Sequence, residues 1–426
     1  MDKHHVFKFF LGSVLLGFVA LLIIKASDYA QSYFEAISHH WKYSSIFLTP
    51  IGFVIISGLI KRFFNGAQGS GIPQTMCALK LNPSDDYSPY LSFRILIGKL
   101  LIVPAYFFGG SLGFEGPAVQ IGASLMVTIQ KYINLSKAEV YYGFIMSGAA
   151  AGLSASLTAP LTGIMFVLEE FSRYYYNNKV IVLILFAVIV SGIISDNAAG
   201  HYSFLSLKAI DVIPFELSSF KEWLFVPLCG LIGGIAGSIF NHSLLYMVKK
   251  LSRLTIQYPI YLAAAMGLLV GILNIHTNGH TAGCGAIVAK NIFLQQPVPL
   301  IDAPLKMAAT LFTYASGVPT GLFTPSLGIG AILSQILVPI VPATMNFHII
   351  IILMMAAYLC GVLQAPLTVC ILIMEITGQD SLLLPLIATT IVSNYTANAL
   401  LKIPLYESLM NLMEKNNLMF LKQYNR

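Results

Sequence analysis

The sequence predicts an all-α polytopic membrane protein. Three observations carry that prediction: the composition, the recurrence of apolar stretches near membrane length, and a weak internal repeat. Of the 426 residues, 57% are hydrophobic and only 10% are charged, and the mean hydropathy is +0.78. A soluble domain carries about 25% charged residues to solvate its surface, so this chain lacks the polar material to cover a core of its size. Soluble enzyme, nucleic-acid binder and secreted disulfide scaffold are poor starting points. The formal charge of +6 comes from bases at the termini and between apolar runs, a pattern that reports membrane topology rather than a nucleic-acid partner. The five cysteines, Cys77, Cys229, Cys284, Cys360 and Cys370, are scattered without a Cys-x-x-Cys pair. They read as small core residues, with neither a disulfide framework nor a zinc site.

Apolar segments recur at 9–24, 45–60, 95–110, 118–130, 140–168, 180–194, 222–247, 258–275, 305–316, 325–342, 348–376 and 382–401. At about 20 residues per crossing they predict roughly ten to twelve helical passes. The first is a membrane helix rather than a signal peptide, because no small-x-small cleavage site follows it, and Lys25 to Asp28 read as its end. Ser136 to Glu139 has capping-box spacing and predicts a helix start. Several runs are broken by Gly and Pro, at Gly109-Gly110, Gly113 to Pro117, Pro160, Gly317 to Pro325 and Pro366. Broken helices are expected where the freed backbone lines a cavity or is buried in protein.

The repeat is short but consistent. Ser111–Ala123 aligns with Pro319–Ala331, matching Gly, Pro, Ile, Gly and Ala at an offset of 208, and Ala159-Pro-Leu-Thr162 matches Ala365-Pro-Leu-Thr368 at 206. The second register also pairs Glu169 with Glu375. Two homologous halves, 1–205 and 206–426, are expected, joined in the polar stretch around His201 to Trp223. Paired discontinuous segments point to a secondary transporter with its site between the halves.

Three stretches share one design of glycines followed by proline and an apolar run: Gly69-Ser70-Gly71-Ile72-Pro73, Gly113-Phe114-Glu115-Gly116-Pro117 and Gly321-Leu322-Phe323-Thr324-Pro325. Proline is favoured in the first helical turn, so each reads as a loop entering a helix N-terminus. Such ends present free amides and the positive pole of the helix dipole, which favour an anion without a full positive charge. Partial charges also allow the ion to leave. Each stretch taken singly reads as a tight turn; the set, two of them related by the repeat, reads as a dehydrated anion site.

These residues resemble the CLC chloride channels and chloride/proton antiporters. The segments GSGIP at 69–73, GFEGP at 113–117, GLFTP at 321–325, APLTGIMFVLEE at 159–170 and KIPLYESL at 402–409 occur in the family's order over nearly the whole chain. The resemblance implies a CLC-type fold of two inverted-topology repeats, a homodimer with one ion pathway per subunit, and both termini on the cytoplasmic side of a bacterial-type plasma membrane. By position it implies that Ser70 and Tyr406 supply hydroxyls to a central anion and that the backbone amides of Leu322 and Phe323 complete the site. It makes Glu115 the gating glutamate, which competes with the anion and carries the proton, and Glu170 the internal proton glutamate. Channel members usually lack an ionisable group at the latter position, so Glu170 favours exchange of chloride for protons over a passive voltage- or pH-gated channel of the same fold. Ser70 favours chloride over nitrate, and Ser70 with Tyr406 argues against the fluoride-exporting branch.

The residues alone give blander readings of the same positions: a helix N-cap for Ser70, an interfacial tyrosine for Tyr406, and a helix-end acid with a hydrogen-bonding role mirrored by Glu375 for Glu169. A carboxylate inside a membrane segment, as at Glu115, is a functional hypothesis by default. Two departures stand out. Phe114 occupies a position where the family often has a base, and the chain ends near Arg426 without the paired nucleotide-binding modules of many eukaryotic members. Lys99 matches a basic position of the family and adds positive potential, or else is a snorkelling cytoplasmic-end lysine.

Rival classes fare worse. An intramembrane enzyme using Glu169 and Glu170 would need them to converge, yet sequence neighbours point apart on a helix. Gly98-Lys99 is followed by Leu100, which excludes a P-loop. Gly230 to Gly237 marks close helix packing rather than a dinucleotide loop. His276, His280 and Cys284 are spaced by fours, but Gly279 and Gly283 interrupt the helix that would align them and no fourth ligand is evident, so no metal is expected. No cofactor is expected; the partners are chloride, protons and the bilayer.

Overall fold

The computed structural model describes residues 3–131, 138–199, 219–342 and 344–424. The described chain is helical throughout. The first half comprises α1 (Lys3–His40), α2 (Ser44–Phe63), α3 (Ile72–Lys80), α4 (Phe93–Lys99), α5 (Ile102–Phe107), α6 (Glu115–Lys131), α7 (Ala138–Leu157), α8 (Pro160–Phe166), a π-helical turn at Val167–Phe171, and α9 (Asn178–Ala199). The second begins with α10 (Phe220–Trp223), α11 (Phe225–Gln257), α12 (Pro259–His276), α13 (Ala286–Phe293), α14 (Asp302–Ala315) and α15 (Phe323–Leu333). It ends with α16 (Phe347–Leu363), α17 (Pro366–Thr377), α18 (Leu383–Leu400) and α19 (Leu405–Tyr424). The expected junction of the halves falls largely outside the described residues.

Two expectations need correction. Lys25 to Asp28 do not end the first helix, which continues to His40. Gln31 Nε2 donates to Glu35 Oε1 at 2.8 Å, Ser32 Oγ donates to the Asp28 carbonyl at 2.8 Å, and Ala30 and Phe34 are buried, so the polar extension is held by local bonds and by packing. Helices of full crossing length are also fewer, among the described residues, than the apolar runs. Seven helices among the described residues are long and apolar enough to span a membrane, because Gly and Pro divide several apolar runs into shorter pieces. The run at 140–168 breaks at Thr158-Ala159, and that at 348–376 breaks at Gln364-Ala365. Both breaks use the same backbone. Thr158 and Gln364 have φ of 50° and 57°, and Ala159 and Ala365 adopt φ/ψ of −128°/82° and −126°/79°.

Small residues set the helix spacing. A Cβ on Gly122 or Gly152 would collide with the Gly148 or Ala118 carbonyl, which seats α6 against α7 backbone to backbone. The glycines at 230–237 do the same for α11: Gly233 lies on Ala357, Gly237 on Gly361, and Gly230 and Gly234 on the carbonyls of Thr389 and Ser393. Asn241 Nδ2 then donates to the carbonyls of Gly361 and Val362 at 3.2 and 2.9 Å. Packing of this kind replaces the hydrophobic drive that is absent between helices in lipid. The centre is α16, apolar on all sides and buried from Ile349 to Leu363. By contrast α9 presents Val182, Ile189 and Ile193, and α18 presents Leu384, Ile391 and Tyr395, to the outside. All five cysteines are buried and free.

The repeat has a direct structural expression. Glu169 accepts hydrogen bonds from the Leu367 and Thr368 amides at 3.1 and 2.7 Å and from Thr368 Oγ1 at 2.7 Å. Glu375 accepts the corresponding three from Leu161, Thr162 and Thr162 Oγ1 at 2.8, 2.7 and 2.6 Å. Each acid thus caps the first turn of the other half's short helix, where free amides and the dipole favour a negative charge.

Candidate functional site

The three Gly/Pro stretches meet at one place, and every residue in them is buried. Each opens a helix: α3 begins at Ile72 with Pro73 in its first turn, α6 at Glu115, and α15 at Phe323. Their backbones are laced together. Gly69 N donates to the Val318 carbonyl at 3.2 Å and Thr320 N to the Gly69 carbonyl at 3.1 Å, while Gly113 and Gly321 exchange amide bonds at 3.1 and 2.6 Å. Gly69 and Gly71 have φ of 67° and 101°, a left-handed backbone that glycine adopts without a side-chain penalty. The turn is fixed by Gln74, whose Oε1 accepts from Gly71 N at 3.0 Å and whose Nε2 donates to the Gln68 carbonyl at 2.6 Å.

Five buried side-chain oxygens gather around this junction, none in a hydrogen bond of regular geometry among the described residues: Ser70 Oγ, both carboxylate oxygens of Glu115, Thr324 Oγ1, which faces Glu115, and the Tyr406 hydroxyl. Buried polar atoms are normally satisfied, so a cluster of orphans at three converging helix N-termini marks a place built for a polar or charged occupant. Ser70 is not the N-cap of α3; that position is Gly71. Tyr406 is 1% exposed, which removes the interfacial-tyrosine reading. Its hydroxyl faces Ser70 and lies within electrostatic reach of Tyr314, Glu115 and Glu170. Leu322 and Phe323, fully buried at the start of α15, bring their amides to the same junction.

Glu115 occupies space that glycines leave open. A Cβ on Gly113 would strike both Glu115 Oε2 and Thr324 Oγ1, and one on Gly321 would sit 3.1 Å from Glu115 Oε2. A Cβ on Gly116 would likewise strike Ser70 Oγ. The glycines therefore serve close approach as well as turning. Phe114, at the position where a base was expected, is packed in the apolar core.

Lys99 does not snorkel. It is fully buried and donates from Nζ to the Gly69 carbonyl at 2.7 Å, fastening the Ser70 turn. Its counterpart was missed from the sequence. Lys306, also fully buried, donates to the carbonyls of His280, Thr281, Ala282 and Gly283 at 3.2 to 3.5 Å. That loop is a fourth member of the junction: Gly283 N donates to the Gly110 carbonyl at 2.8 Å, and Gly283-Cys284-Gly285 repeats Gly69-Ser70-Gly71 with positive φ at both glycines. The clue was present, since Lys99 and Lys306 are 207 residues apart. His280 is drawn to Asp302 instead, with Nδ1 and Oδ2 2.7 Å apart, and Cys284 Sγ lies 3.9 Å from Gln31 Oε1.

Glu170 stands apart from the junction, on the π-helical turn. The wider turn separates it from its neighbour: Glu169 is turned to α17, while Glu170, 2% exposed, faces Arg173 with Oε2 and Nη2 3.6 Å apart. π turns of this kind are frequent at functional sites.

Comparison with known proteins places these features in a lineage. Residues 51–398 match the family model described as voltage gated chloride channel. The chain is 29% identical over 374 residues to an H(+)/Cl(-) exchange transporter, ClcA, of Cronobacter sakazakii, covering 83% of this chain and 76% of that one. It is also 29% identical over 395 residues to the ClcA of Citrobacter koseri, covering 86% and 79%. The fold is similar to the crystal structure of a slow cyanobacterial Cl-/H+ antiporter, with a TM-score of 0.85 at 23% identity, covering 97% of this chain and 98% of that one. It is similar as well to a CLC-type fluoride/proton antiporter, with a TM-score of 0.78 at 20% identity and coverage of 96% and 99%.

Proposed function

The chain belongs to the voltage-gated chloride channel family, and from that premise we propose that it is a secondary active transporter exchanging chloride for protons. The observation that carries the reading is the Glu115 carboxylate, fully buried and facing Thr324, beside the buried Ser70 and Tyr406 hydroxyls that face each other, with none of these oxygens in a hydrogen bond of regular geometry among the described residues. A carboxylate and a chloride ion ask for the same surroundings, namely amides and hydroxyls that donate to negative charge. Ionised, Glu115 takes the anion's place; protonated, it gives that place up and holds a proton. Competition of this kind couples the two ions without a large domain motion.

In this reading chloride rests against the hydroxyls of Ser70 and Tyr406 and the amides of Leu322 and Phe323. The lacing of Gly69, Gly113 and Gly321 supports it by keeping the donors from relaxing onto one another. Thr324, Gly116 and the prolines Pro73, Pro117 and Pro325 shape the same cage, and Lys99 adds positive potential behind the Ser70 turn. Glu170 is the inner proton acid; its burial and its separation from the junction give protons a route distinct from that of the anion. The protein works as a homodimer with one pathway per subunit, its halves 1–205 and 206–426 in opposite orientation, both termini cytoplasmic, in a bacterial plasma membrane. Lys3 and Lys8, with Lys415, Lys422 and Arg426, support that topology.

The test is transport by purified protein in sealed vesicles. A chloride gradient should drive protons uphill, and Glu115→Gln or Glu170→Gln should abolish that movement. Chloride flux with no coupled proton movement at any pH would leave a passive channel and overturn the exchange reading. Ser70→Pro should shift preference toward nitrate in the same assay; unchanged selectivity would remove Ser70 from the anion site.

A further inference from the structure

Arg173 joins two elements that the proposed mechanism treats separately. Its Nη2 lies 3.6 Å from Glu170 Oε2 and its Nη1 lies 2.6 Å from Glu407 Oε2, so one guanidinium bridges two carboxylates. Glu407 follows Tyr406 directly, in the first turn of α19. One end of the bridge is buried and the rest is partly open: 2% exposure for the Glu170 side chain, 36% for Arg173 and 33% for Glu407. A second contact ties the same pieces, because the Tyr174 hydroxyl points to Met410 Sδ at 3.7 Å. The charged and titratable groups around Glu170 are Glu169, Arg173 and Tyr174 on its own segment and Tyr406 and Glu407 on α19, with Cys77 of α3 facing Tyr174. Farther along the same face, Lys80 of α3 pairs with Glu414 of α19 at 3.2 Å.

A half-exposed ion pair contributes little to stability, so the bridge is poorly explained as a fold-holding device. Its geometry suits another task. The planar guanidinium offers several donors in a fixed fork, which lets it face a buried acid and an exposed one at once. An opposite charge within about 4–6 Å favours the ionised carboxylate, and a like charge opposes it. The π-helical turn aims Glu170 at Arg173 while Glu169 is occupied in capping α17.

We propose that Arg173 is a positioning residue for ion exchange, holding Glu170 and, through Glu407, fastening that acid to the helix that supplies Tyr406. The inner proton acid and one wall of the anion cage then respond to each other's charge and position through a single side chain. This rests on the exchange reading above.

The sign of two opposed substitutions tests it. In reconstituted protein, the proton-to-chloride ratio is read from the reversal potential and the inner-side pH profile from exchange rate. Arg173→Gln removes the positive neighbour and should raise the inner pH midpoint by about half a unit or more, with the proton-to-chloride ratio falling roughly threefold. Glu407→Gln removes a negative neighbour and frees Arg173 for Glu170, and should move the midpoint the other way. Arg173→Lys should recover more than half of the Arg173→Gln shift. A midpoint and ratio unchanged in Arg173→Gln, or shifts of the same sign in both variants, would overturn the proposal. Should Arg173→Gln fail to fold, Glu407→Gln decides it: no shift, or an upward one, overturns it. Wild-type protein that moves no protons sinks the exchange reading and this inference with it; coupled wild-type protein with unresponsive variants sinks only the role of Arg173.

Discussion

Gly113 has no room for a side chain, and the atoms that deny it are Glu115 Oε2 and Thr324 Oγ1. Neither is backbone, so Gly113→Ala should fold but displace the Glu115 carboxylate from its seat. Proton-coupled transport should fall about tenfold, equivalent to about 1.4 kcal/mol, while chloride flux persists; paired chloride and proton flux measurements check this. The sequence identified Gly113 as a turn glycine. It could not identify its neighbours, because they are brought by a loop 208 residues away and by the orientation of one side chain. Glu115 itself was legible, since an acid in an apolar run stands out. Lys306 was read only after the fold, because its hydrogen bonds all go to backbone carbonyls of a loop that no side-chain motif marks.

At the level of helices, Glu169 and Glu375 are an interchangeable pair. Each receives two amide bonds and one hydroxyl bond from the opposite half. Hydrogen bonds to a charged group are worth about 1.5–3 kcal/mol, so Glu375→Ala and Glu169→Ala should each destabilise the protein by about that amount, as read from thermal unfolding in detergent. The glycine seams make a harder constraint. A Cβ on Gly237 would lie 2.5 Å from Gly361 C and 2.7 Å from Val362 N, and backbone atoms cannot swing aside. Gly237→Val should cost about 1–3 kcal/mol in the same measurement. Helix starts at the Gly/Pro stretches were legible because proline in a first helical turn acts locally. Helix ends were less so: the extension of α1 to His40 depends on Phe34 and Ala30 finding buried places, a tertiary fact.

For the whole molecule, the pairing proposed above, with one pathway per chain, makes a mixed dimer behave as the sum of its parts. Co-assembled wild-type and Glu115→Gln subunits should carry protons at about half the rate of the wild-type dimer if binding steps at the two sites are uncoupled; a rate near zero would show that the subunits work as one unit. Hydropathy sees apolar length but not the breaks at Thr158 and Gln364, which divide the runs at 140–168 and 348–376 into two helices each. The repeat itself was legible in the match of 159–162 with 365–368, and its meaning emerges in the exchanged caps. Each half contains a helix start capped from the other half and an acid that caps the other half's helix start. Neither short helix keeps its cap unless both segments are in place, so the exchanged caps join the two matching stretches of the chain.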